Sequence, residues 1–202
     1  MRKTFFMRTF NLNIRLIILT LLTGFLGWLL KFLAINLELS LPISLDLSIV
    51  NTYLNLGSKY TYLTMSFLLA ILFLSVAFEI LNRVRFDSLV NYFKSIYHTF
   101  KFRRFLTQYE KSEKVTTIEN QSITTYNPVN EKFNRAVRKS AVDIRKDEIT
   151  VYVRVPKDNQ AVNILKEMED LLKEEVSSQH PDYYFSSPNR VKNNLWLVGK
   201  KR

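Results

Sequence analysis

Two long runs without charged residues dominate the N-terminal part of the chain. Residues 60–78, YTYLTMSFLLAILFLSVAF, and residues 16–30, LIILTLLTGFLGWLL, contain no Asp, Glu, Lys or Arg. A hydrocarbon core about 30 Å thick needs about 20 helical residues to cross it, and the first run resumes after Lys31 as FLAINL. The amine of Lys31 can reach the headgroups from there. The sequence therefore predicts two membrane-spanning helices; the alternative is a pair of helices buried in a soluble core.

Basic residues beside these runs set the expected orientation. The first fifteen residues carry four cations and no acid, Arg2, Lys3, Arg8 and Arg15. The segment after the second run is also rich in Lys and Arg, whereas the loop at 38–59 holds two acids and one lysine. Because an excess of Lys and Arg marks the cytoplasmic side, we expect a multi-pass cell-membrane protein with both termini in the cytoplasm. A cleaved signal peptide is the weaker interpretation, since no small-x-small cleavage site follows the first run.

Composition limits the kinds of site that the chain can form. It has 202 residues, a formal net charge of +11 and no cysteine. The lack of cysteine excludes disulfides, thiolate metal sites and cysteine nucleophiles. Gly24 and Gly27 are three positions apart rather than the four of a dimerising G-x-x-x-G motif, but small residues still allow another helix to approach. We expect residues 1–82 to form the membrane anchor and the protein to be an oligomer.

A basic amphipathic helix is predicted directly after the second run. Within residues 83–112, apolar side chains recur at 86, 89, 90, 93, 96, 97 and 100, which is helical spacing. We interpret this helix as lying on the membrane lipids or against a partner helix. A solvated stalk and a nucleic-acid contact are the alternatives. The cations expected at the membrane surface are Arg83, Arg85, Lys94, Lys101, Arg103 and Arg104.

Residues 113–202 are predicted to form a small cytoplasmic α+β domain. Residues 149–155 alternate Ile, Val, Val and Val with Thr, Tyr and Arg, which is typical of a strand with one buried face. Asn159 is expected to cap the following helix. The expected order is β-α-β-α-β-β, with elements at 114–128, 129–144, 149–155, 160–177, 182–187 and 194–200, the last two joined as a hairpin through Pro188 and Asn189.

No catalytic constellation is evident in the sequence. His98 and His180 lack a second ligand at metal spacing, so we interpret both as separate surface histidines. The acids of the 160–177 helix alternate with lysines on its solvent side. There is no phosphate-binding glycine loop. We therefore expect no enzyme, metal or cofactor.

One basic cluster in the domain is not explained by membrane topology. Lys132, Arg135 and Lys139 lie at i, i+3 and i+7 of the predicted helix, with Arg138 beside them. This cluster is a candidate contact for a protein partner or for nucleic acid, and a solvated helix face is the third interpretation. Acids are interspersed in the same domain, which favours a protein partner over nucleic acid.

The arrangement resembles a known family. Two N-terminal spans, a basic connector and the stretch EITVYVRVPKDNQAVNILKEMEDLLKEEV are similar to the region ahead of the motor in FtsK/TcpA-type coupling ATPases of Gram-positive conjugative elements. The resemblance covers that region only, and residues 1–202 carry none of the catalytic motifs of the family's nucleotide-binding domain. The resemblance implies a non-catalytic scaffold or adaptor of a DNA-transfer (conjugation) or secretion machine, with a motor ATPase as one candidate partner. A membrane-tethered nucleic-acid-binding protein is the alternative function.

The expected topology can be measured with reporter fusions. An enzyme active only outside the cytoplasm, fused near residue 50, should be active because that loop is poor in Lys and Arg. The same reporter fused at residue 1 or 202 should be silent. Activity of the C-terminal fusion would contradict the orientation.

Overall fold

The computed structural model describes residues 1–40, 48–109, 115–116, 122–123 and 128–202. The fold is α+β, with two long apolar N-terminal helices and a small sheet domain. It divides into two compact units. We call Arg8–Leu81 the helical unit, and Met1–Met7 together with Asn82–Arg202 the α+β unit.

Two long helices account for the helical unit. Helix α1 spans Phe5–Ser40 and α2 spans Ser48–Phe86. Both are long and apolar enough to cross a membrane. Within the described residues, only 17% and 6% of their most apolar segments are buried, whereas the core helix of a soluble protein is mostly buried.

Small residues bring α1 and α2 together in the helical unit. A Cβ atom on Gly27 would lie 2.7 Å from Thr61 Oγ1, and one on Gly24 would lie 3.1 Å from Met65 Sδ. Ser58 Oγ donates to the carbonyl of Gly27 at 3.2 Å. The two glycines therefore allow the close approach of α2 of the same chain.

The α+β unit contains four helices and two sheets in its described residues. The helices are α3 (Leu89–Leu106), α4 (Pro128–Val137), α5 (Asn159–Glu167) and α6 (Glu169–Gln179). The strands are β1 (Val115–Thr116), β2 (Ser122–Ile123), β3 (Ala141–Ile144), β4 (Glu148–Arg154), β5 (Tyr183–Phe185), β6 (Asn189–Val191) and β7 (Asn194–Lys201). Strands β1 and β2 pair with each other, and the others form an antiparallel sheet of order β3-β4-β7-β5 in which β6 also pairs with β7.

The core lies between one face of the larger sheet and the helices. Ile149, Val151 and Val153 of β4 are almost completely buried, as their alternation predicts. They pack with Leu165 of α5, Leu172 of α6 and the other buried apolar residues of the unit. Each such side chain contributes about 1.5–3 kcal/mol through burial.

The opposite face of β4 is covered as well, which the sequence did not indicate. Tyr152 and Trp196 are only 1% and 2% exposed, with ring centroids 5.2 Å apart. Lys3 Nζ lies 3.8 Å from the centroid of the Tyr152 ring, and Phe6 packs edge-on against Tyr92 of α3. The N-terminal residues thus belong to the α+β unit.

Several sequence predictions differ from the observed elements. The helix predicted at 129–144 ends at Val137, and residues 141–144 form β3, because their backbone pairs with β4. The helix predicted at 160–177 is two helices that meet at Met168. Asp158, not Asn159, accepts the capping bonds of α5. Most of the strand predicted at 114–128 lies outside the described residues.

The predicted C-terminal hairpin also contains an extra strand. Strands β5 and β7 pair as expected. Asn189, however, does not occupy the turn, because it pairs with Trp196 as part of β6. The tight turn falls instead next to Lys192, whose φ of 56° is in the left-handed region.

The compact unit begins earlier than the predicted boundary at residue 113. Helix α3 packs on β3, and Phe102 and Leu106 are part of the core. The segment 83–112, predicted as a separate juxtamembrane element, therefore supplies a structural helix of the α+β unit, whose larger segment starts at Asn82.

Helix α3 attaches to the free edge of β3 through polar side chains. The Val142 N–H donates to Thr99 Oγ1 at 3.0 Å, and Thr99 Oγ1 donates to the Val142 carbonyl at 3.2 Å. The Ile144 N–H donates to Ser95 Oγ at 2.8 Å. Arg103 Nε and Nη2 donate to the Ser140 carbonyl at 2.8 and 2.6 Å. Three side chains of α3 thus bond backbone groups of Ile144 and Val142 in β3 and of Ser140 just before it.

Replacing Thr99 with Val should destabilise the α+β unit by about 1–3 kcal/mol, because the buried Val142 N–H would lose its acceptor. Thr150→Val is the matched control, since Thr150 bonds only an exposed carboxylate at 2.8 Å and valine suits a strand. Denaturant unfolding of the full chain in detergent measures both variants. Equal stability of the Thr99→Val and Thr150→Val variants would show that the contact between Thr99 and β3 does not stabilise the α+β unit.

Candidate anion-binding site

A cavity of about 480 Å³ lies between α4 and the segment that connects β4 to α5. We call it the basic cavity. Its lining residues from α4 and the turn after it are Lys132, Arg135, Ala136 and Lys139. Its other lining residues are Arg154 at the end of β4 and Val155, Pro156, Lys157 and Asp158 of the connecting segment. Cavities of this size receive small ligands or the side chains of a partner.

Local structure explains how the cations converge. Phe133 and Val137 of α4 are buried in the core, which turns the opposite side of the helix, with Lys132 and Arg135, outward. Pro156 follows β4 and cannot donate a ladder hydrogen bond, so the strand ends there. The next turn then leads to Asp158, the N-cap of α5.

Among the described residues that line the basic cavity, five are cations and one, Asp158, is a carboxylate. Lys132 Nζ donates to Asp158 Oδ2 at 2.8 Å. This bond, with the backbone N–H donors of α5, lowers the pKa of Asp158. Arg154 Nη1 donates to Asn194 Oδ1 at 3.1 Å. Arg135 pairs with the exposed Glu131 at 3.1 Å. The surplus of positive charge suits an anionic ligand.

The structure places three of the four residues of the predicted cluster at the basic cavity. Lys132, Arg135 and Lys139 line the basic cavity, whereas Arg138 does not. Sequence reasoning missed Arg154 and Lys157, which lie near the α4 residues only in the folded chain. Alternation along β4 could have placed Arg154 off the core face, but no local pattern links it to α4.

The predicted membrane-surface cations occupy two kinds of position. Arg85, Lys94, Lys101 and Arg104 are exposed. Arg83 is 1% exposed and donates to Asp143, to Asp87 and to the Ile144 carbonyl. It therefore lies inside the α+β unit rather than at its surface.

Arg103 is the second predicted surface cation that turns inward. Its guanidinium donates to the Ser140 carbonyl, and burial lowers the pKa of Arg103 to about 10. The cations that remain free to meet a membrane surface are thus the four exposed ones.

The two histidines, interpreted as separate, lie together in the fold. The ring centroids of His98 and His180 are 4.5 Å apart, and His98 Nδ1 lies 3.3 Å from Gln179 Oε1. Burial, followed by the charge of His98, lowers the pKa of His180 to about 4. Burial also lowers the pKa of His98. Among the described residues, no group of three or more side chains is placed to hold a metal ion.

Comparison with protein families, with curated proteins and with solved structures finds no significant match to the chain. The resemblance to coupling ATPases therefore stays a prediction. What the site can do follows from its geometry, which combines a concave shape with a cationic lining.

The histidine pair predicts a pH dependence of stability. An unfolded histidine has a pKa of about 6.5, so with a folded pKa of about 4 for His180 the unfolded chain binds the proton more readily. The contribution of His180 to the free energy of unfolding should be fully present above about pH 6.5 and should be lost as the pH falls towards 4. His180→Asn should make this fall shallower in denaturant unfolding measured at several pH values. An unchanged profile would contradict the role of His180.

Proposed function

We propose that this protein is a non-catalytic, membrane-anchored adaptor whose α+β unit docks an acidic segment of a protein partner in the basic cavity. The observation that carries the proposal is the convergence of five cations, Lys132, Arg135, Lys139, Arg154 and Lys157, on one cavity. Its described lining contains a single carboxylate. Carboxylates of a partner would form charge-assisted hydrogen bonds there.

The shape of the site favours a peptide over a nucleic acid. A duplex presents phosphates along an extended backbone and is bound by a row or stripe of cations. Here the cations face into a cavity of about 480 Å³, and Arg138, which would extend the row, lies outside the lining. Membrane-tethered nucleic-acid binding is the second candidate, supported by the same positive charge.

Three observations support the proposed anchoring and orientation. Helices α1 and α2 are long and apolar enough to span a membrane. Residues Met1–Met7 belong to the same compact unit as residues 82–202, which supports an even number of spans with both termini on one side. The excess of Lys and Arg in the first fifteen residues supports the cytoplasmic side.

The setting of the adaptor is proposed from the family resemblance alone. In that setting the protein would serve a DNA-transfer or secretion machine, and a motor ATPase would be the protein that it docks. We further propose that the anchored protein is an oligomer.

Binding of an oligoglutamate peptide and of duplex DNA to the full chain in a neutral detergent tests the proposal. The peptide should bind, and a Lys132→Gln, Arg135→Gln, Lys139→Gln variant should bind it about tenfold more weakly or worse, since charged hydrogen bonds contribute about 1.5–3 kcal/mol each. The control is Arg138→Gln, Lys166→Gln, Lys200→Gln. It removes the same charge from exposed residues outside the cavity and should bind like the parent.

Duplex DNA, measured at two salt concentrations, decides between the two candidates. Weak DNA binding at physiological salt agrees with the adaptor proposal. Tight DNA binding that falls steeply with salt, and that only the cavity variant loses, would replace the adaptor with the nucleic-acid binder. Equal peptide binding by the cavity variant and its control would remove the cavity from the proposal.

A further inference from the structure

Helix α3 has two apolar faces, of which the α+β unit covers only one. Tyr92, Phe102 and Leu106 lie on the inner face and are buried. The outer face carries five large apolar side chains that are between 40% and 67% exposed, Leu89, Val90, Phe93, Tyr97 and Phe100. This is the larger part of the apolar stripe that the sequence predicts. Its exposure follows because the inner face is used to bind β3.

The outer face of α3 is also basic. Lys94, Lys101 and Arg104 are exposed, and a helix turns by about 100° per residue, so they lie on the same side as Val90 and Tyr97. The helix LVNYFKSIYHTFKFRRFL contains no acidic residue. Exposed aromatic and aliphatic side chains beside cations, with no acid among them, match the composition of helices that lie in the interface of an anionic bilayer.

The position of α3 in the chain indicates the same ligand. Helix α2, which is apolar and long enough to cross a membrane, ends at Phe86, and α3 begins at Leu89 after only two intervening residues. A contiguous apolar patch facing water is unfavourable and marks an interaction surface. For a helix that directly follows a span, the nearest apolar phase is the bilayer itself.

We propose that the outer face of α3 binds the surface of an anionic lipid leaflet. Its aromatic and aliphatic side chains enter the boundary between headgroups and acyl chains, and Lys94, Lys101 and Arg104 contact anionic headgroups. This inference does not rest on the basic cavity or on the proposed partner. It adds a lipid-binding surface to the α+β unit.

Single cysteines in the full chain test the proposal, since the natural sequence contains none. Val90→Cys and Phe100→Cys place an environment-sensitive fluorophore at two points about 15 Å apart along the outer face. Leu171→Cys is the control, because Leu171 is an apolar side chain of α6 that is 54% exposed. The labelled proteins are placed in nanodiscs of phosphatidylcholine alone or mixed with phosphatidylglycerol. The readout is quenching by a lipid-attached quencher.

In discs that contain phosphatidylglycerol, the fluorophores at 90 and 100 should both be quenched and the fluorophore at 171 should not. Phosphatidylcholine alone should give weaker quenching at 100. Quenching at 90 only would mean that α3 is a stalk, and would overturn the proposal. Shielding at 100 from a water-soluble quencher, without quenching by lipid, would overturn it in favour of a protein partner or a second copy of the chain.

Charge variants test the electrostatic part. Lys94→Glu, Lys101→Glu, Arg104→Glu should abolish the gain in quenching at 100 that phosphatidylglycerol produces. Lys166→Glu, Lys192→Glu, Lys200→Glu changes the net charge equally at exposed residues of other elements and should keep that gain. Far-UV circular dichroism checks that both variants are folded. If phosphatidylglycerol increased quenching at 100 equally in both variants, the proposed recognition of anionic lipid by α3 would be wrong.

Discussion

The free edge of β3 is the constraint on which the arrangement of the α+β unit depends. An edge strand presents unpaired N–H and C=O groups, which are costly to bury without partners. Every fourth residue of a helix advances about 6 Å, and every second residue of a strand advances about 6.6 Å. Ser95, Thr99 and Arg103 therefore stay in step with Ile144, Val142 and Ser140 for three successive contacts. A helix closes the sheet edge with side chains where another strand would use its backbone.

The last turn of α2 is also bonded to this strand. Arg83 donates to Asp143 and to the Ile144 carbonyl, at the end of the same strand, and to Asp87 at 2.7 Å. The side chains of these three residues are at most 3% exposed. A buried charge is tolerated only when it is paired and hydrogen-bonded, and removing one partner is strongly destabilising. The network therefore ties residues 83–87 to β3, and α3 starts from a defined point with a defined rotation about its axis.

Sequence patterns predicted the parts of the fold that are locally encoded. The alternation in β4 and the apolar stripe of α5 and α6 correspond to observed elements, because each is an amphipathic segment that packs on one core. Strand β3 was missed, since Ala141 and Ile144 also fit helical spacing and only pairing with β4 decides between the two. The inner face of α3 was missed because it binds β3 partly through Ser95 and Thr99, which a hydrophobicity pattern assigns to the solvent side. Arg154 and Lys157 were missed for a different reason. The cavity that they line forms only when α4 packs beside the end of β4, and no local sequence pattern shows that contact.

The two positively charged surfaces of the α+β unit differ in what they can select. In the basic cavity, Lys132 and Arg135 already pair with Asp158 and Glu131. A ligand must therefore replace carboxylates with stronger or more numerous anionic groups at fixed positions, which favours a specific acidic segment. On α3 the cations are exposed, lie beside apolar side chains and have no acid on their own helix. As proposed, they would respond to the averaged negative potential of a leaflet, which needs no fixed geometry. Under the two proposals, the basic cavity and the outer face of α3 would therefore serve two separate kinds of recognition. Because the inner face of α3 closes the edge of β3, its outer face is the one that stays exposed.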